Sequence, residues 1–75
     1  MAYTIKGLAK ANECETHDAM GLASCWDYWL TCNCNDKQSV NDFFRLRKTD
    51  RKEMLRFMKE YGFIMLYEHI LEHIV

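Results

Sequence analysis

Cys14, His17, Cys32 and Cys34 spell C-x2-H-x14-C-x-C, three thiolates and an imidazole, a ligand set suited to tetrahedral zinc. A chain of 75 residues builds a small core and would gain from such a staple. Geometry argues the other way. A helix over residues 13–33 puts Cys14 and Cys32 about 27 Å apart along its axis, too far for one ion. Zinc therefore requires the helix to begin after His17, with the preceding segment folded back. On the continuous helix, Cys14, Cys25 and Cys32 fall on nearly the same side, with Gly21 and Tyr28 between them. Free cysteine packs as a small hydrophobe, so packed thiols are the preferred reading and no cofactor is expected. A zinc-stabilised domain using Cys14, His17, Cys32 and Cys34 is the alternative, and a disulfide the third.

A second constellation lies near the carboxyl end. His69-Ile70-Leu71-Glu72-His73 matches H-x-x-E-H, and in these five residues it resembles the motif of one class of zinc metalloproteases. The resemblance implies two histidines one helical turn apart on a metal and Glu72 as general base. Glu68, His69, Glu72 and His73 are also the polar side of an otherwise apolar helix, which accounts for them without chemistry. The sequence has no phosphate loop, no nucleophile–base pair and no paired acids in a plausible cleft. The expectation is a protein that is not an enzyme.

Charge is segregated although the formal net charge is only −1. Residues 11–36 carry Glu13, Glu15, Asp18, Asp27 and Asp36 with no Lys or Arg. Residues 45–59 carry Arg45, Arg47, Lys48, Arg51, Lys52, Arg56 and Lys59 against Asp50 and Glu53. The basic run, with Asp18 and Asp27 on the acidic side, supplies the candidate partner-binding residues. Nucleic acid is one possible partner, because the short second helix, tight turn and third helix loosely resemble a helix-turn-helix. The turn lacks a glycine, however, and the basic residues run through both helices. Only Lys52, Arg56 and Lys59 form one clean stripe, and a solvated basic face is the commoner explanation.

The elements that must position these residues follow from periodicity. Apolar residues recur at spacings of three and four at Ala19, Leu22, Ala23, Trp26, Trp29 and Leu30. With Asn12 as cap and Glu15 completing a capping box, they predict a helix over 13–33. Ser39 and Asp42 predict a second helix over 40–48. Thr49 or Asp50 caps a third over 50–61, with its stripe at Met54, Phe57, Met58 and Tyr61. The stripe changes sides after Gly62, since Phe63, Tyr67, Ile70, Leu71 and Ile74 point roughly opposite if the helix continues. A break at Gly62 and a fourth helix over 63–74 is the simpler solution, and a two-faced central helix the other. Residues 1–11 read as a short helix or an extended arm. The fold expected is all-α, one compact domain of about four helices.

Composition then narrows the function. Apolar residues make up 49% of the chain and ten are aromatic, which excludes a disordered segment. No secretory leader and no spanning run is visible; the longest apolar run is Phe63 to Tyr67. The cytoplasm is the expected compartment, with reduced thiols and no membrane partner. The aromatics are more bulk than so small a core readily hides, and aromatic and Arg residues dominate interface hot spots. Protein binding is therefore the expected function. Phe63, Tyr67, Ile70, Leu71 and Ile74 give the last helix an apolar face suited to self-association as a homo-oligomer. In general character, short, charge-segregated and without an enzymatic signature, the chain resembles small accessory proteins of phages and mobile elements. That resemblance implies an inhibitor or regulator of a host complex.

Overall fold

The amino terminus, open on sequence between arm and helix, uses both. In the computed structural model, which describes residues 2–33 and 36–74, Tyr3 is extended and pairs with the chain around Leu46. Its N–H donates to the Arg45 carbonyl at 2.6 Å, and its carbonyl accepts from the Arg47 N–H at 2.8 Å. The Arg45 guanidinium lies 4.4 Å from the centre of the Tyr3 ring. Thr4 then caps helix α1 (Ile5–Ala11), its side chain accepting from the Gly7 N–H at 3.0 Å.

How α1 ends decides the next forty residues. Asn12 closes it, Glu13 adopts a left-handed conformation (φ 57°), and the Cys14 N–H returns to the Ala9 carbonyl at 3.0 Å. The Glu13 N–H reaches the Lys10 carbonyl at 3.1 Å. This pair of bonds is a Schellman motif, with glutamate in the position usually taken by glycine. The helix expected from residue 13 is therefore corrected: residues 12–18 are a loop, and helix α2 (Ala19–Tyr28) begins six residues later. Its cap is Asp18, whose carboxylate accepts from the Gly21 N–H at 2.9 Å. Asn12, expected to cap that helix, instead donates to Asp42 Oδ2 at 2.9 Å and to the Leu8 carbonyl at 2.8 Å. A wider, π-type turn over Trp29–Asn33 carries α2 to the expected end.

The second and third expected helices exist with shifted starts. Helix α3 (Asp36–Arg45) begins ahead of Ser39, so Ser39 and Asp42 lie buried within the helix and do not form its cap. Helix α4 (Lys48–Glu60) starts after an extended Arg47, whose Nε donates to Asp50 Oδ2 at 2.9 Å. Gly62 breaks the chain as expected: its φ is +84°, and the Phe63 N–H returns to the Met58 carbonyl at 2.9 Å. Helix α5 (Ile64–Glu72) follows. The result is an all-α bundle of five helices among the described residues, one more than the four expected as certain.

Ile5, Leu8 and Ala9 of α1 meet Leu22, Ala23 and Trp26 of α2 in one core with Phe43, Leu46, Met54, Met58, Leu66 and Ile70. Trp26 is its largest member and meets Phe43 edge-on at 6.4 Å. Removing such a buried side chain costs about 3–5 kcal/mol, a large share of a small domain's stability.

Candidate functional site

The basic segment divides into two groups. Arg45 covers Tyr3 and approaches Asp42 Oδ1 at 3.7 Å, so it fastens the arm to α3. Arg47 is held by Asp50, and the hydrogen bond and charge of that carboxylate raise the guanidinium's already high pKa. Both arginines therefore have structural duties. Lys48, Lys52, Arg56 and Lys59 are exposed along α4, and Arg51 is half-buried. Lys52, Arg56, Thr49 and Glu53 line one shallow polar depression. On the acidic side, Asp18 caps α2. The Gly21 N–H and then a hydrogen bond from Thr16 hold its carboxyl below the usual range. Asp27 is half-buried, and its carbonyl accepts from Thr31 Oγ1 at 2.8 Å.

The candidate zinc ligands are distributed otherwise than either cysteine reading assumed. Cys14 sits in the α1–α2 loop, not on a helix with Cys25 and Cys32, so the single thiol stripe is corrected. Its thiol meets Cys25, the two lying within hydrogen-bonding reach. His17 and Cys32 are exposed, and Cys34 lies outside the described residues. Among the described residues no three His, Cys, Asp or Glu side chains are placed to hold a metal ion. At the other candidate site, the His69 and His73 rings stand 5.1 Å apart at 65°, and His73 Nδ1 donates to the His69 carbonyl at 3.0 Å. They border a small pocket with Lys37, Val40 and Asn41.

The apolar face of α5 is divided too. Ile70 is fully buried in the monomer's core, which withdraws it from any surface. Phe63 and Tyr67 are half-buried against the same core, Leu71 is half-buried, and Ile74 is exposed. The outward apolar surface lies earlier, at the α4–α5 corner. Tyr61 is 60% exposed, Ile64 46% and Met65 66%. Phe57 stacks on Tyr61 at 4.3 Å between ring centres and on Phe63 at 6.3 Å, with interplanar angles of 19° and 21°. Sequence reasoning put Tyr61 in the core stripe and passed over Met65. The available signal was Gly62, because a reversal there turns the residues beside it outward.

A second feature is a groove of about 710 Å³ between the α1–α2 loop and α2. Cys14, Glu15, Thr16, Gly21, Ser24 and Cys25 line it, and the exposed Met20 and Tyr28 stand at its edge. Among the described residues no helix is long and apolar enough to cross a membrane. In comparison with known proteins, the chain matches no family model, no curated protein and no solved structure.

Proposed function

We propose that the protein works without catalysis of its own, by docking stoichiometrically on a protein partner through the α4–α5 corner. The observation that carries this reading is the run of large apolar side chains at Tyr61, Ile64 and Met65, each about half exposed or more, beside the Phe57 ring stack. Isolated exposed hydrophobics are ordinary, whereas a group of them around one turn marks an interaction surface. Stacking of Phe57 on both neighbours holds the aromatic part in place before a partner arrives, which lowers the ordering cost of binding. Lys52, Arg56 and Lys59 lie on the same helix and would steer an acidic partner towards the corner. Such a protein suits the role of an inhibitor or regulator of a larger complex.

A Tyr61→Ser/Met65→Ser variant should melt as the parent does, because both side chains are exposed. The parent and this variant, immobilised in parallel, would be exposed to lysate of the source cells and the retained proteins compared by mass spectrometry. One protein retained by the parent in near-equal molar amount and lost from the variant is the expected result. Identical capture by both chains refutes the corner as the docking site. Capture of nucleic acid that falls steeply with salt would instead favour a phosphate-binding role for the basic stripe.

A further inference from the structure

Four cysteines in so short a chain call for a use, and two of them are brought together from separate elements. Cys14 reaches Cys25 because three local devices fold the α1–α2 loop back on α2. The Schellman turn at Glu13 reverses the chain and ties the Cys14 N–H to Ala9. Thr16 lies so close to Gly21 that a Cβ there would overlap the Thr16 hydroxyl and carbonyl. Asp18 then caps the helix on which Cys25 sits. The two thiols end within hydrogen-bonding reach, both partly exposed, on the wall of the groove that Met20 and Tyr28 border.

We propose that Cys14 and Cys25 are a redox-active pair that closes into an intramolecular disulfide by exchange with a low-molecular-weight disulfide entering this groove. The Cys14 thiolate attacks one sulfur of the reagent, whose S–S bond breaks and releases one thiolate, which takes up a proton. Cys25 then gives up its proton and attacks the Cys14 sulfur of the mixed disulfide, displacing the second half of the reagent. The pair loses two electrons and two protons, and the reagent leaves as two thiols. Cys14 acts first because Cys25 is pushed up to about 12, by burial above all, then by Cys14 beside it and by the charge of Asp42. Closure staples the loop to α2 and rigidifies one wall of the groove. The inference stands apart from the docking reading, since neither thiol belongs to the α4–α5 corner.

The sequence makes the test clean, because Asp18, Asp27 and Asp36 space the cysteines apart. Cleavage before each aspartate leaves Cys14, Cys25 and the Cys32–Cys34 pair on three different fragments. The full-length protein is equilibrated with oxidised and reduced glutathione at graded ratios, trapped by alkylation, cleaved and weighed without reduction. The expected product is the monomer lighter by two hydrogen atoms, with the Cys14 and Cys25 fragments joined and both thiols lost together. Bridging should persist in Cys32→Ser/Cys34→Ser and vanish in Cys14→Ser and in Cys25→Ser. Cys25→Ser should instead accumulate a glutathione adduct on Cys14. A bridge to the Cys32–Cys34 fragment, dimers between chains, or a glutathione adduct on Cys14 that never resolves in the parent would each overturn the proposal. Helical circular dichroism of each variant separates loss of the pair from loss of the fold.

Discussion

Replacing Glu13 by glycine should stabilise this protein. Glu13 holds φ 57° at the left-handed position of the turn that ends α1 and is exposed to solvent. A side chain in that conformation costs roughly 1–2 kcal/mol, while glycine gives back roughly 0.5–1 kcal/mol through the greater freedom of its unfolded chain. The balance is a gain of about 0.5–1 kcal/mol, which in a domain of this size raises the melting temperature by about 2–8 °C. Gly62 provides the mirror experiment. It occupies the same position of a similar turn with φ +84°, and nothing within 4 Å would meet an added Cβ. Gly62→Ala should therefore lose about as much as Glu13→Gly gains, for backbone reasons alone. Thermal melts and urea titrations with an unchanged slope would measure both. Glu13→Ala separates charge from conformation, because it removes the carboxylate and keeps the Cβ. If Glu13→Ala stabilises as much as Glu13→Gly, or if Glu13→Gly melts lower than the parent, the reasoning from backbone strain is wrong.

Three further outcomes follow from the same structure. Gly21→Ala should destabilise by about 1–3 kcal/mol, since its Cβ meets the Thr16 backbone and hydroxyl, which must shift; melting temperature reads it directly. Asp42→Ala should cost about 1–3 kcal/mol in urea titration, because buried Asp42 accepts from Asn12 at 2.9 Å and from Gln38 at 3.2 Å. The Asp18 carboxyl is held below its ordinary 3.8 in the folded protein, so its contribution is complete above that value and is lost as pH falls through the lower, folded one. Asp18→Asn keeps a capping oxygen without the titration, so its stability should fall less than the parent's across that acid window; parallel acid titrations followed by circular dichroism would show it.

Residue patterns read out the fold class, the core faces and the break at Gly62, and they failed at the start of the second helix for a definite reason. Two cap signals compete there: Asn12 with Glu15, and Asp18 ahead of Ala19. Only the second lies where the apolar spacing of Leu22, Ala23 and Trp26 begins. The first was misleading because the left-handed residue that ends α1 is Glu13, and glutamate gives no stop signal where glycine would. The same motif at Gly62 was legible for that reason alone. Ser39 and Asp42 misled in another way. Their spacing matches a capping box, but burial turned Asp42 into an acceptor for Asn12, a partner thirty residues away that local patterns do not reveal.

Misplacing that one helix start changed the reading of the cysteines. A continuous helix would have separated Cys14 from Cys25 by nearly three turns and made both of them packing residues. The loop instead brings them together, leaves Cys32 exposed on the turn after α2, and makes a pair where a stripe was expected. The surplus of aromatic side chains was similarly visible in composition without a location. Trp26 and Phe43 go fully to the core, while Tyr28, Phe44 and Tyr61 remain exposed at separate places. Of these, only Tyr61 joins a stack with half-buried rings and has exposed Ile64 and Met65 close along the chain. Tyr28 borders the thiol groove instead. A surface that combines exposure with ordering has more to gain from a partner than a lone exposed ring, and this is why the α4–α5 corner outranks the groove as the docking face. It also predicts a difference in response: oxidation of the thiol pair should alter the groove at Tyr28 and leave partner capture through Tyr61 and Met65 unchanged. Capture abolished by glutathione disulfide in the parent, but not in Cys14→Ser, would place the docking face on the groove side.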